Sequence, residues 1–161
     1  MLTHSLAKSI RMNHEEVLRR WLENLHGHIA DDFEQMLLTP MGNGVATKLL
    51  GYAVDYLEAE DYQRNEVLHS VWSAAREASF RRAAVGYGLQ DIVTTALAFR
   101  NALQETLLNN VTPSDSTEER KLLEGIMAIN RIGDSMVSGE IAGYFSYQGF
   151  HEDQAGERES A

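Results

Sequence analysis

Residues 79–108 read SFRRAAVGYGLQDIVTTALAFRNALQETLL. Two glycines one residue apart, Gly86 and Gly88, stop one helix and start another. After them Leu89, Ile92, Val93, Ala96, Leu97, Leu103 and Leu107 recur at three and four, the spacing of one helix face. The spacing predicts a helix over 89–110, with Asp91 suited to the positive end of its dipole. Before the glycines, Leu68, Val71, Trp72, Ala75, Ser79 and Ala83 predict a helix over 62–84.

The same spacing extends outward in both directions. Toward the N-terminus it predicts a long helix over 13–29, with Leu18, Trp21, Leu22, Leu25 and Ile29 inward. Asn13 and Glu16 have the spacing of a capping box. Leu6 and Ile10 mark either a separate turn before it or an extension of it, and Phe33, Met36 and Leu37 a short helix over 31–38. Thr39 to Gly44, TPMGNG, reads as a turn, followed by a helix over 45–59. Toward the C-terminus, Val111 to Glu119 reads as a turn into a last helix over 114–146. Its stripe is Leu122, Leu123, Ile126, Ile129, Met136, Val137, Ile141, Tyr144 and Phe145. No segment alternates long enough for a half-buried strand, so the expected class is all-α, a bundle of about six helices without a sheet. Residues 1–146 are expected to form a single domain and 147–161 an acidic, disordered tail.

Composition narrows the function. The 161 residues carry 14 Lys and Arg against 24 Asp and Glu, a formal charge of −10. A nucleic-acid binder needs a basic footprint, and an anionic membrane surface repels such a chain. Cysteine is absent, which removes disulfides, thiolate zinc sites and cysteine nucleophiles. There is no apolar run of membrane-spanning length and no signal-peptide pattern, so the expected location is the cytoplasm. No G-x-S-x-G elbow, P-loop or dinucleotide fingerprint occurs, and no catalytic residue is assigned.

Two Glu-x-x-His pairs, Glu23 with His26 and Glu66 with His69, have the spacing found in di-iron carboxylate bundles. On the helical wheel Glu23 lies about 140° and His26 about 80° from the centre of their stripe, and Glu66 and His69 about 160° and 100° from theirs. All four are expected to point outward or sideways, so no metal or cofactor is expected. His26 and His28 form a weak H-x-H pair without a third ligand. Arg82 differs: it lies about −40° from the centre, inside the apolar stripe, while Arg81 points out. The favoured expectation is that Arg82 snorkels to water at the helix end; the alternative is an internal ion pair or ligand contact. Four glycines, Gly125, Gly133, Gly139 and Gly143, interrupt the last helix at about 1 kcal/mol each. They are read either as a weak helix or as close approach to a neighbouring helix or a second subunit. With Ile129 and Met136 they are the expected face of a homodimer.

The segment 79–108 resembles the N-terminal domain of the bacterial RsbRD-type RsbT co-antagonists. The match runs through Arg82, Ala83, Gly86, Leu89, Asp91 and Arg100, with VLRRWLENL (17–25) and LLGYAVDYLEAED (49–61) resembling the early and middle helices. The resemblance implies a globin-like sensor domain without haem, acting in stress signalling through a STAS-type or switch-kinase partner. Related globin-coupled sensors place a proximal histidine about where Arg82 stands here. The alternative that the resemblance leaves is a haem sensor with His69 as ligand. No STAS or kinase segment is recognisable, so the expectation is a free-standing regulatory domain.

Overall fold

The structure is a computed structural model describing residues 2–159, with the side chains of all but residues 2, 3 and 41. Among the described residues there are seven helices and no strand: α1 Leu2–Met12, α2 His14–Leu25, α3 Asp31–Leu37, α4 Pro40–Glu58, α5 Asp61–Ala84, α6 Leu89–Asn110 and α7 Ser116–Glu159. The all-α expectation holds. No helix of the described residues is long and apolar enough to cross a membrane.

Local chemistry sets the breaks. Gly86 takes φ +98°, a conformation that side chains resist, and lets the Tyr87 N–H reach back to the Arg82 carbonyl at 3.1 Å. Gly27, at φ +78°, does the same service after α2. The stretch TPMGNG is not a turn but the start of α4. Thr39 is the N-cap, its hydroxyl accepting from the Gly42 N–H at 3.2 Å, and Pro40 sits in the first turn, where a missing N–H is harmless. The capping box expected at Asn13 does not form, since the Asn13 amide donates to the Ser9 carbonyl at 2.8 Å instead. A box does form at Glu60 and Gln63, opening α5.

The disordered tail expected from residue 147 is also not what the structure shows. α7 continues to Glu159, and the rings of Tyr147 and Phe150 pack against Phe80 at 5.5 and 6.3 Å. Loss of apolar periodicity does not end a helix, and no proline follows residue 113. Residues 160 and 161 lie outside the described ones.

α7 runs along α5 over its longest contact and also meets α6, while α2 packs on α6 and α1 on α4. The shared core includes Leu6, Trp21, Leu25, Phe33, Tyr56, Ile92, Phe99, Leu103 and Ile129. On α6 the predicted stripe is buried at Ile92, Ala96, Leu103 and Leu107, with Leu97 alone at the surface, whereas on α7 Leu123, Ile141 and Phe145 of the predicted stripe are exposed. The buried line of α7 is instead Leu122, Gly125, Ile129, Ile132, Gly133, Met136, Gly139, Glu140 and Gly143. Glycine scores as neutral in an apolar pattern, so this face is invisible to a search for hydrophobic repeats.

Candidate functional site

Without side chains at 139 and 143, α7 approaches the backbone of α5. A Cβ at Gly139 would collide with the Trp72 carbonyl and sit 3.1 Å from Ala75 Cβ. One at Gly143 would collide with the Arg76 carbonyl and sit 3.0 Å from Ser79 Cβ. Gly125 meets Leu6 of α1, and Gly133 meets the stem of Arg100 on α6. Hydrogen bonds tie the two backbones where they come together. The Ser79 hydroxyl donates to the Glu140 carbonyl at 2.6 Å, and the Ser135 hydroxyl to the Leu68 carbonyl at 2.8 Å.

The close-approach reading of these glycines is therefore correct within one chain, and the dimer-face reading is not. Gly125, Ile129, Gly133, Met136, Gly139 and Gly143 are all buried against helices of the same chain, so a second subunit cannot reach them.

At this seam Arg82 of α5 faces Glu140 of α7, guanidinium Nη1 3.6 Å from carboxylate Oε1. Arg82 is 7% exposed and Glu140 3%. The favoured snorkelling of Arg82 is overturned, and the internal ion pair takes its place. The Gly86 turn closes α5 one turn beyond Arg82, and the Phe33 ring stacks with the guanidinium at 5.5 Å. Arg82 also donates to the Thr95 hydroxyl at 3.4 Å, and that hydroxyl donates onward to the Ile92 carbonyl at 2.6 Å. The Trp21 indole N–H donates to the Thr95 carbonyl at 3.0 Å, joining α2 to the same cluster.

The pair is poorly satisfied. Glu140 Oε2 has no hydrogen-bond partner. Burial pushes the Glu140 carboxyl up to about 8, against the opposing pull of Arg82 and Thr95. Burial also lowers Arg82, with Glu140 pulling the other way. Burial thus favours the protonated carboxyl, and Arg82 the ionised one. Beside it lies a void of about 10 Å³ lined by Trp21, Arg82, Thr95, Phe99, Met136 and Glu140. That is the size of about one water, which two or more of these polar groups would hold.

The remaining candidates lie elsewhere. His69 is exposed on α5 and stacks on Trp72 at 6.0 Å. No histidine lines the void beside Glu140, and His69 does not reach it. Glu23 pairs with Arg19 at 2.7 Å and His26 with Glu34 at 2.8 Å, both at the surface. The Glu34 contact raises the His26 pKa. Glu66 and His69 are exposed as well, so both Glu-x-x-His pairs point outward as the wheel predicted. Among the described residues no three His, Asp or Glu side chains gather as metal ligands would.

Sequence reading found Arg82 and missed its partner. Glu140 lies about 20° from Ile129 on the α7 wheel, while Ile141 lies about 120° and Phe145 about 160° away. The glycines share the Glu140 face, and treating them as markers of a buried line would have exposed an acid within it.

The chain matches no protein-family model, no curated protein and no solved structure.

Proposed function

We propose that the chain is a non-enzymatic sensory or regulatory domain that works through protein–protein interaction in bacterial stress signalling, as its resemblance to RsbRD-type N-terminal domains implies. The observation that carries this reading is the Arg82–Glu140 pair. A buried, incompletely bonded ion pair contributes little stability compared with apolar residues of equal volume. Its value lies in having two states. Ionised, it clamps α5 to α7; with the carboxyl protonated, it leaves Arg82 free to take another anion.

The expected partner is a STAS-domain or switch-kinase protein, and the chain itself is expected to be a homodimer. With the glycine face inside the bundle, the dimer contact falls to the outer side of α7, where Leu123, Met127, Ile141 and Phe145 are exposed. The test is interferometry of the purified chain against a STAS-domain protein and a switch kinase. It compares wild type with the volume-matched pair Arg82→Met, Glu140→Leu. The reading expects binding that changes at least about fivefold between the two folded chains, the lower end of ordinary allosteric coupling. No binding to either partner, or equal binding by both chains, overturns it. Light scattering that gives a monomer at high micromolar concentration removes the dimer.

A further inference from the structure

A groove of about 400 Å³ opens at the surface between α4 and α5, next to the ion pair. Its walls are apolar where Met36, Val45, Ala78 and Val85 line them. Val85 is 71% exposed, a large apolar side chain left uncovered at the end of α5. At Gly44 an added Cβ would meet nothing within 4 Å, so the groove is open along that edge.

Its charge is opposite to that of the chain. Lys48, Arg81 and Arg82 line it, and among the described residues no acidic one does, in a protein with a formal charge of −10. Lys48 and Arg81 are exposed at the rim. Lys48 has a ring contact with Tyr52 at 6.0 Å, and Arg81 pairs with Glu77 at 3.3 Å on the outer surface of α5. Arg82 is buried, forms part of the lining, and pairs with Glu140 at 3.6 Å. The volume lies in the range of small-molecule sites, which are mostly apolar with a few placed polar groups.

We infer that this groove binds a free alkyl carboxylate, its tail along Met36, Val45, Ala78 and Val85 and its carboxylate among Lys48, Arg81 and Arg82. A guanidinium and an ammonium together suit one carboxylate headgroup. The free amphiphile is favoured over a lipid in a bilayer because the acidic chain is repelled by an anionic membrane. A headgroup on the groove side of Arg82 competes with Glu140 for the same cation, so binding reaches the α5–α7 seam through one side chain. This inference rests on the sensory reading for its purpose, and names the class of signal.

The test is calorimetry of the full chain with decanoate below its micellar concentration. One decanoate per chain is expected. Acetate, which has the headgroup alone, and decyltrimethylammonium, which has the tail with the opposite charge, are expected not to bind at 1 mM. The double variant Lys48→Glu, Arg81→Glu changes only exposed side chains and is expected to weaken decanoate at least tenfold. Gly44→Trp, which fills the open edge, is expected to do the same. Equal binding of decyltrimethylammonium, equal binding of acetate, unchanged affinity in the charge-reversed chain, or no saturation with decanoate overturns the inference. No partner protein is present in this experiment. Decanoate binding without a STAS or kinase complex therefore overturns only the signalling role, and a complex without decanoate binding overturns only the groove.

Discussion

The α2–α6 seam and the α5–α7 seam hold the same bundle together by opposite means. Between α2 and α6 the contact is made by bulk. Trp21 meets Phe99 edge to face at 6.1 Å, its N–H reaches the Thr95 carbonyl, and Arg20 and Glu16 at the rim contact Glu105 and Asn110. Between α5 and α7 the contact is made by absence: Gly139 and Gly143 let backbone meet backbone. The first seam is sensitive to removing atoms and the second to adding them. Only the second encloses a charged pair, because Arg82 and Glu140 occupy the same narrow line as the glycines.

The largest effect expected is at the first seam. Trp21→Ala should cost about 3–5 kcal/mol in urea unfolding, whereas Trp21→Phe, which keeps most of the packing, should cost about 1–2 kcal/mol. Equal costs would mean that the indole hydrogen bond, not bulk, holds α2 to α6.

The second prediction concerns the sign of pH dependence at the other seam. Folding raises the Glu140 pKa from the ordinary carboxyl range to about 8. The folded chain therefore binds more protons than the unfolded one between those values, and the stabilisation, complete at the acid end, is lost as pH rises toward 8. Wild type and Glu140→Gln should unfold at similar urea midpoints at pH 5. At pH 8 the glutamine chain should be the more stable by about 3–4 kcal/mol. A wild type that gains on the variant as pH rises would show a net stabilising ion pair.

The third prediction compares glycines. Gly139→Ala should cost about 1–3 kcal/mol by overpacking, more than offsetting the gain of about 1 kcal/mol in helix propensity. Gly51→Ala, on an open face of α4, should gain about 0.5–1 kcal/mol. Thermal denaturation of both chains reads the difference, and a stable Gly139→Ala chain would show that the seam has slack.

The same contrast explains what was legible in the sequence. α6 was read to the residue because Leu89 to Asn110 repeats its apolar positions cleanly and glycines precede it. The α2 face was also readable from Trp21 and Leu25, although Val17 is buried beside them and Leu18 and Leu22 only half so. α7 was misread on two counts. Its inner face is written in glycines, which carry no hydrophobic signal, and its outer face carries Leu123, Ile141 and Phe145, which do. Arg82 stood out because a cation in an apolar stripe is conspicuous. Glu140 did not, since its stripe had not been recognised, and the groove at α4 and α5 joins residues too far apart in sequence for spacing to reveal.

One further consequence follows from the length of α7. From Gly143 to Glu159 the helix runs sixteen residues past the tightest contact, about 24 Å at 1.5 Å per residue, and from His151 onward its side chains face solvent. Phe150 still packs against Phe80 of α5, so the arm beyond that contact is the nine residues from there to Glu159, about 13 Å, and a tilt of about 10° at that contact displaces its tip by about 2 Å.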